Sequence, residues 1–208
     1  MSVELWLIRH GETEWSLDGR HTSWTDIPLT EHGRKRAEEL RDYLKDVKFA
    51  AVLVSPRQRA LETSRIAGFG DVAVVDDGLQ EWNYGESEGK TTAQMRKKYG
   101  RAWSVWSSEI VGGESVEQVG VRADGVIARA IKAGEEPTSQ SRDAGHPEMR
   151  RVALFAHAHI LRILAARWIG LPAVCGSKFA LGTGSVSVLG HERETRVVLR
   201  WNRSFEGE

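Results

Sequence analysis

The stretch Val3–Trp15, VELWLIRHGETEW, decides how the chain is read. Val3, Leu5, Trp6, Leu7 and Ile8 form an apolar run of strand length, too short for a core helix, and Gly11 stops it at once. The run predicts a buried strand that delivers Arg9 and His10 at its C-terminal end. In open α/β sheets that end is where ligands bind. A guanidinium beside an imidazole at such a place points to an anion site containing a nucleophile or proton shuttle. Taken alone, Arg9-His10-Gly11 fits a surface ion pair beside a satisfied loop histidine equally well, so its meaning depends on partners further along the chain.

Working outward, Ala50–Val54 is a second β-type run that ends at Ser55-Pro56 and leads into a helix carrying Arg57, Arg59, Thr63 and Arg65. Arg59 falls in the first turns of that helix, where the dipole favours anions. Val152–Ala156 is the most β-like run of the second half, and His157 follows it directly. An apolar helix over Ile160–Trp168 comes next, with Arg162 on its polar side. Three strands therefore end in a cationic or titratable group. Asp71–Val75 is read as a further strand, and Ser185–Leu189 with Arg196–Trp201 as a closing pair. Helices are predicted after Thr30 as N-cap, over Thr91–Tyr99 and over Ser115–Ala133. The segment 134–149 is poor in apolar residues and reads as an exposed loop, with His146 solvated. Alternating strands and helices without an internal repeat predict an α/β fold: three layers, α/β/α, around a mostly parallel sheet. One domain over residues 1–208 is expected.

Composition narrows the classes. The 29 basic and 29 acidic residues give zero formal net charge, so there is no global attraction to nucleic acid or an anionic membrane. A single cysteine, Cys175, rules out an internal disulfide and a cysteine-rich zinc site. With no leader pattern, no membrane-length apolar run and no metal-ligand spacing, the expectation is a cytoplasmic protein that uses no metal or cofactor. A homodimer is compatible with this reading. Of the eight tryptophans, Trp15, Trp24 and Trp82 lie beside polar motifs and are candidates for a pocket wall. Glu81 lies among Leu79, Trp82 and Tyr84, an aromatic setting that suits a proton donor.

Arg9-His10-Gly11-Glu12-Thr13, Ser55-Pro56-x-x-Arg59-Ala60-x-x-Thr63, Glu81 ahead of Tyr84-Gly85-x-x-Glu88-Gly89, and His157 after an apolar strand occur in that order. Together they resemble the histidine phosphatase superfamily, the phosphoglycerate-mutase-like group, from Val3 to about Leu189. Each motif is weak singly; four in sequence are specific. The resemblance implies that His10 is the phosphate-accepting nucleophile and Glu81 the proton donor. It implies that Arg9, Arg59 and His157 form a cationic phosphate pocket, with Ser16, Thr22, Ser23 and Ala158 as further substrate contacts. For His10 to attack through one ring nitrogen, the other should donate to a carbonyl that fixes the tautomer.

Relatives often carry asparagine where Ser16 stands and glycine where Ala158 stands. Ser16 still donates a hydrogen bond, whereas Ala158 lacks glycine's freedom at positive φ. The implied function is a cofactor-independent phosphomonoesterase acting on small phosphorylated metabolites such as sugar phosphates, through a phosphohistidine. The alternative is a 2,3-bisphosphoglycerate-dependent phosphoglycerate mutase, and the remote one a non-catalytic phosphate-binding regulatory protein. Between Glu81 and Lys90 there is no arginine or histidine. The sequence thus predicts donors for one phosphate and few for two.

Overall fold

The first strand, β1 (Val3–Arg9), is buried on both faces because its residues alternate between two cores. Leu5 and Leu7 face one core while Trp6 and Ile8 face the other. This is why the stretch reads as nearly continuous apolar sequence. The computed structural model describes residues 2–136 and 150–205. Its other strands are β2 (Ala51–Val54), β3 (Ala73–Val75), β4 (Arg150–Ala156), β5 (Val186–Glu192) and β6 (Thr195–Arg203). They form one six-stranded sheet in the order β3-β2-β4-β1-β5-β6. β1, β2, β3 and β4 run parallel; on the β1 side β5 pairs antiparallel with β1, and β6 antiparallel with β5. The mostly parallel sheet expected from the alternation is therefore present. β3 is shorter than its sequence suggests, because the N–H groups of Val72 and Ala73 both close a turn on the Phe69 carbonyl.

Helices cover both faces. The short α1 (Glu14–Leu17) follows the first loop; α2 (Glu31–Leu44) and α3 (Gln58–Ile66) pack Leu40, Leu44 and Ala60 against Trp6, Ile8 and Phe155. On the other face, α5 (Val116–Glu135) and α6 (Ala158–Trp168) bury Val119, Ala123, Val126, Ile160 and Leu164 against Leu5, Leu7 and Leu154. Each such leucine, isoleucine or valine contributes roughly 1.5–3 kcal/mol when fully buried. α4 (Thr92–Tyr99) lies between α3 and α5 in sequence. Thr30, Thr91 and Ser115 each accept a hydrogen bond from the backbone N–H three residues on, and so act as N-caps. No described helix is long and apolar enough to cross a membrane. The loop expected over 134–149 falls, but for its first three residues, outside the described residues.

The turn after β1 is pressed against the start of α2. Thr30 N–H donates to the Glu12 carbonyl, and its hydroxyl donates to the Glu12 carboxylate at 2.7 Å. A side chain on Gly33 would collide with the Glu12 carbonyl oxygen, and one on Gly11 with the Gly33 carbonyl oxygen. Backbone here touches backbone. Gly33 lies within α2, where alanine would ordinarily be favoured by about 1 kcal/mol. Gly33→Ala should instead destabilise the protein by about 1–3 kcal/mol, as overpacking does. The measurement is the thermal midpoint; a raised midpoint would show that the turn is not held this closely.

Candidate active site

Parallel pairing of β1, β4 and β2 brings three strand ends together. Arg9 is opposite Ala156 and Val54 opposite Phe155, so His10, His157 and Ser55 emerge side by side. The His10 N–H continues the ladder by donating to the Ala156 carbonyl at 3.0 Å. The His10 and His157 rings lie 5.1 Å apart between centroids. His10 Nδ1 is 2.6 Å from the carbonyl oxygen of Gly11, to which it donates. That bond fixes the tautomer, as expected, and leaves Nε2 with its lone pair and no hydrogen bond among the described residues. Burial, then the charges of Arg59 and Arg9, hold the His10 pKa well below its usual value, so the ring is neutral at neutral pH. Gly11 is in turn anchored by its N–H on Thr63 Oγ1 at 3.0 Å. Thr63 belongs to the motif around Arg59, and its contribution is this clamp between helix and loop.

Arg59 is fully buried. Its Nε donates to His157 Nδ1 at 3.1 Å, and its Nη groups donate to the carbonyls of Thr22, Ser23 and Thr25. It therefore pins the 22–25 loop as well as placing charge beneath His10. With Nδ1 accepting, the His157 proton is on Nε2, 2.7 Å from Ser55 Oγ. This corrects the expected cationic role of His157. Burial, followed by the charges of Arg59, His10 and Arg9, keeps it neutral, and both ring nitrogens already have partners. Arg9 donates to the Leu181 carbonyl, while its Nε has no hydrogen bond among the described residues. Burial lowers the Arg9 pKa to about 10, which still leaves it charged at neutral pH.

Glu81 faces this group from the other side. Its Oε1 accepts from the backbone N–H groups of Trp82 and Ile160, both at 2.9 Å, and its Oε2 from that of His159 at 3.0 Å. The carboxylate thus caps the N-terminus of α6, next to His157. Two residues that the sequence did not single out hold Glu81 there. Arg122 donates to the carbonyls of Gly78 and Gln80, and Glu114 joins Arg122 at 2.7 Å to the Asn83 N–H at 2.8 Å. Glu88 performs the same service for the facing loop, accepting from Ser23 and Thr25 N–H.

A cavity of about 430 Å³ opens over these groups. Arg9, His10, Glu81, Ser16, Thr22 and Ala158 all line it. Arg59, His157 and Ser23 do not; they form the layer beneath. Ala158 is the first residue of α6, and φ is not positive there, so alanine fits without strain. Thr13 caps α1, and the Ser16 hydroxyl completes the reciprocal pair by accepting from the Thr13 N–H. The tryptophan of the wall is Trp106, not those expected: Trp82 is core, Trp24 is over half exposed beneath Arg57, and Trp15 stacks under Arg20. The single-phosphate expectation also needs correction. Arg20, Arg96 and Arg162 line the same cavity, brought there by a loop, α4 and α6 and not by the segment after Glu81. His159, likewise unforeseen, lines it with Nδ1 2.6 Å from the Tyr84 hydroxyl. Among the described residues no group of three or more His, Cys, Asp or Glu is placed to hold a metal ion.

The chain is similar to known proteins over most of its length. An acid phosphatase of Mycobacterium tuberculosis is 39% identical over 194 residues, covering 92% of this chain and 88% of that protein. The sedoheptulose 1,7-bisphosphatase of Saccharomyces cerevisiae is 34% identical over 187 residues, covering 79% of this chain and 67% of that protein. Phosphoglycerate mutases are also among the relatives. A solved structure of a Mycobacterium tuberculosis open reading frame product superposes with a TM-score of 0.84 at 37% identity, covering 97% of each chain. The model of the histidine phosphatase superfamily (branch 1) matches residues 5–204. The chain belongs to the histidine phosphatase superfamily, branch 1.

Proposed function

We propose that the chain is a phosphomonoesterase, acting as a single domain on small phosphorylated metabolites through a phosphohistidine on His10. The observation that carries this reading is the neutral His10 ring, its tautomer set by Gly11, its Nε2 unengaged, in a cavity that also holds the Glu81 carboxyl. Nε2 attacks phosphorus, and the ester P–O bond breaks with its electron pair leaving on oxygen. Glu81 is the group from which that oxygen takes its proton. In the second half Glu81 takes a proton from water as the water attacks phosphorus. The P–N bond breaks, its pair returns to Nε2, and inorganic phosphate departs. Arg9 and Arg59 supply positive potential where charge accumulates on the phosphoryl oxygens, and neither must reorganise to do so. His157 acts by holding Arg59, through Nε, against the floor of the site.

The reading as a phosphatase over a mutase draws on the segment after Glu81. Trp82 and Asn83 stand where mutases of the family carry arginine and histidine, and of the two residues that follow, only Tyr84 reaches the cavity. A catalytically dead regulatory protein is disfavoured because none of the reacting groups is missing.

Turnover of p-nitrophenyl phosphate with stoichiometric phosphate release tests the function directly. His10→Ala should retain the wild-type thermal midpoint within a few degrees and lose at least about 10³-fold in kcat, because removing a nucleophile ends the covalent route. Substantial activity in folded His10→Ala would refute it. The role of Glu81 has its own signature. Glu81→Gln should slow hydrolysis of alkyl phosphates by about 10²–10⁴-fold, the range of general acid catalysis. p-Nitrophenyl phosphate, whose leaving group scarcely needs a proton, should suffer far less. A uniform loss on both substrates would take Glu81 out of the acid role.

A further inference from the structure

The cavity contains more positive charge than one phosphoryl group requires. Four arginines line it, Arg9, Arg20, Arg96 and Arg162, against one carboxylate, Glu81. Arg9 faces the reacting phosphate, and Arg20 is matched by Asp18 at 2.8 Å. Arg96 and Arg162 remain, and neither makes an ion pair with a carboxylate among the described residues. Arg96 donates through Nε to the Trp103 carbonyl, which leaves both of its Nη groups without hydrogen bonds among the described residues.

Arg162 is the more telling of the two. It is half-buried, its guanidinium lies 4.7 Å over the Trp106 ring, and it donates to the carbonyls of Gly176 and Ser177 through Nε and Nη2. Those contacts fix the plane of the fork and leave Nη1 without a hydrogen bond among the described residues. A half-buried guanidinium held rigidly with Nη1 still free to donate is a ready partner for an anion. Beside it, His159 is oriented by Tyr84. Tyr84 keeps its proton, because burial raises its pKa, and the hydroxyl donates to His159 Nδ1. That places the His159 proton on Nε2, a neutral donor on the cavity wall. The cavity, at about 430 Å³, is of the size that takes a whole small metabolite and not a phosphate alone.

We propose that Arg162, with His159 and Arg96, forms a second anion subsite, so that the substrates this enzyme favours are phosphomonoesters carrying a second phosphate or a carboxylate. The inference rests on the phosphomonoesterase reading and adds to it a substrate class. A second anion is engaged by the rigid fork of Arg162 and the His159 Nε2–H, while Arg96, exposed at the rim, closes over it.

The test is phosphate release from two matched pairs: 3-phosphoglycerate against glycerol 3-phosphate, and fructose 1,6-bisphosphate against fructose 6-phosphate. Wild type should favour the doubly anionic member of at least one pair by about tenfold or more in kcat/KM, the yield of one charge-assisted hydrogen bond. Which pair responds tells carboxylate from phosphate. Arg162→Met, which keeps an apolar stem against Trp106, should bring that ratio towards one through KM. Arg96→Ala, at an exposed position where folding is not at stake, should lower it part of the way. Ratios near one in wild type for both pairs, or a ratio that neither substitution moves, would overturn the subsite. No release from any of the four esters or from p-nitrophenyl phosphate would overturn the subsite and the phosphomonoesterase reading together.

Discussion

The hydrogen bond from the His10 N–H to the Ala156 carbonyl is the constraint on which the site depends. It extends the β1–β4 ladder by one residue past the last strand pair, Arg9 with Ala156. Parallel pairing makes neighbouring strands end at the same edge of the sheet. A nucleophile candidate after β1, a histidine after β4 and the Ser55 that begins the α3 motif after β2 therefore meet without any long loop to place them. A one-residue slip of β1 would turn Leu5 and Leu7 from one core to the other and carry His10 away from His157. The two apolar cores that fix the register thus also fix the chemistry.

A second layer of polar contacts makes this edge rigid. Arg59 reaches from α3 to His157 and to three carbonyls of the 22–25 loop, Glu88 holds the N–H groups of the same loop, and Thr63 holds Gly11. Buried cations are normally costly, and two of them stand close to His10. The cost is offset by carbonyl dipoles and by Glu81, whose charge raises the pKa values of both Arg9 and Arg59 against the effect of burial. The outcome is a positive site with two neutral imidazoles in it, prepared for an anion before the anion arrives. Such preorganisation is where electrostatic catalysis gets its strength.

Much of this was legible in the residues. Apolar runs of strand length followed directly by Arg9-His10, Ser55-Pro56 and His157 identified the sheet edge, because a parallel strand buried on both faces leaves a nearly unbroken hydrophobic signature. Thr30 marked a helix start because a threonine hydroxyl can accept from a first-turn N–H, and Gly33 supplies that N–H. What escaped was non-local. Arg122 and Glu114 lie in and before α5 and look like ordinary helix-surface charges, yet they position Glu81 across some thirty to forty residues of chain. The loss of charge on His157 follows from burial and from Arg59, neither visible in a tripeptide. Arg96 and Arg162 are not legible from the segment next to Glu81, because the packing of α4 and α6 brings them to the pocket. Ala158 raised a concern that helical geometry removes.

On the proposed mechanism, phosphorus passes through a bond to His10. The most direct measurement is rapid alkaline quenching of a single turnover, followed by mass spectrometry of the peptide that carries His10. The mechanism predicts a phosphoryl group on that histidine at early times, stable to alkali, lost in mild acid and absent from His157 and His159. Phosphate released across the whole time course with no label on His10, or with the label on another residue, would contradict it.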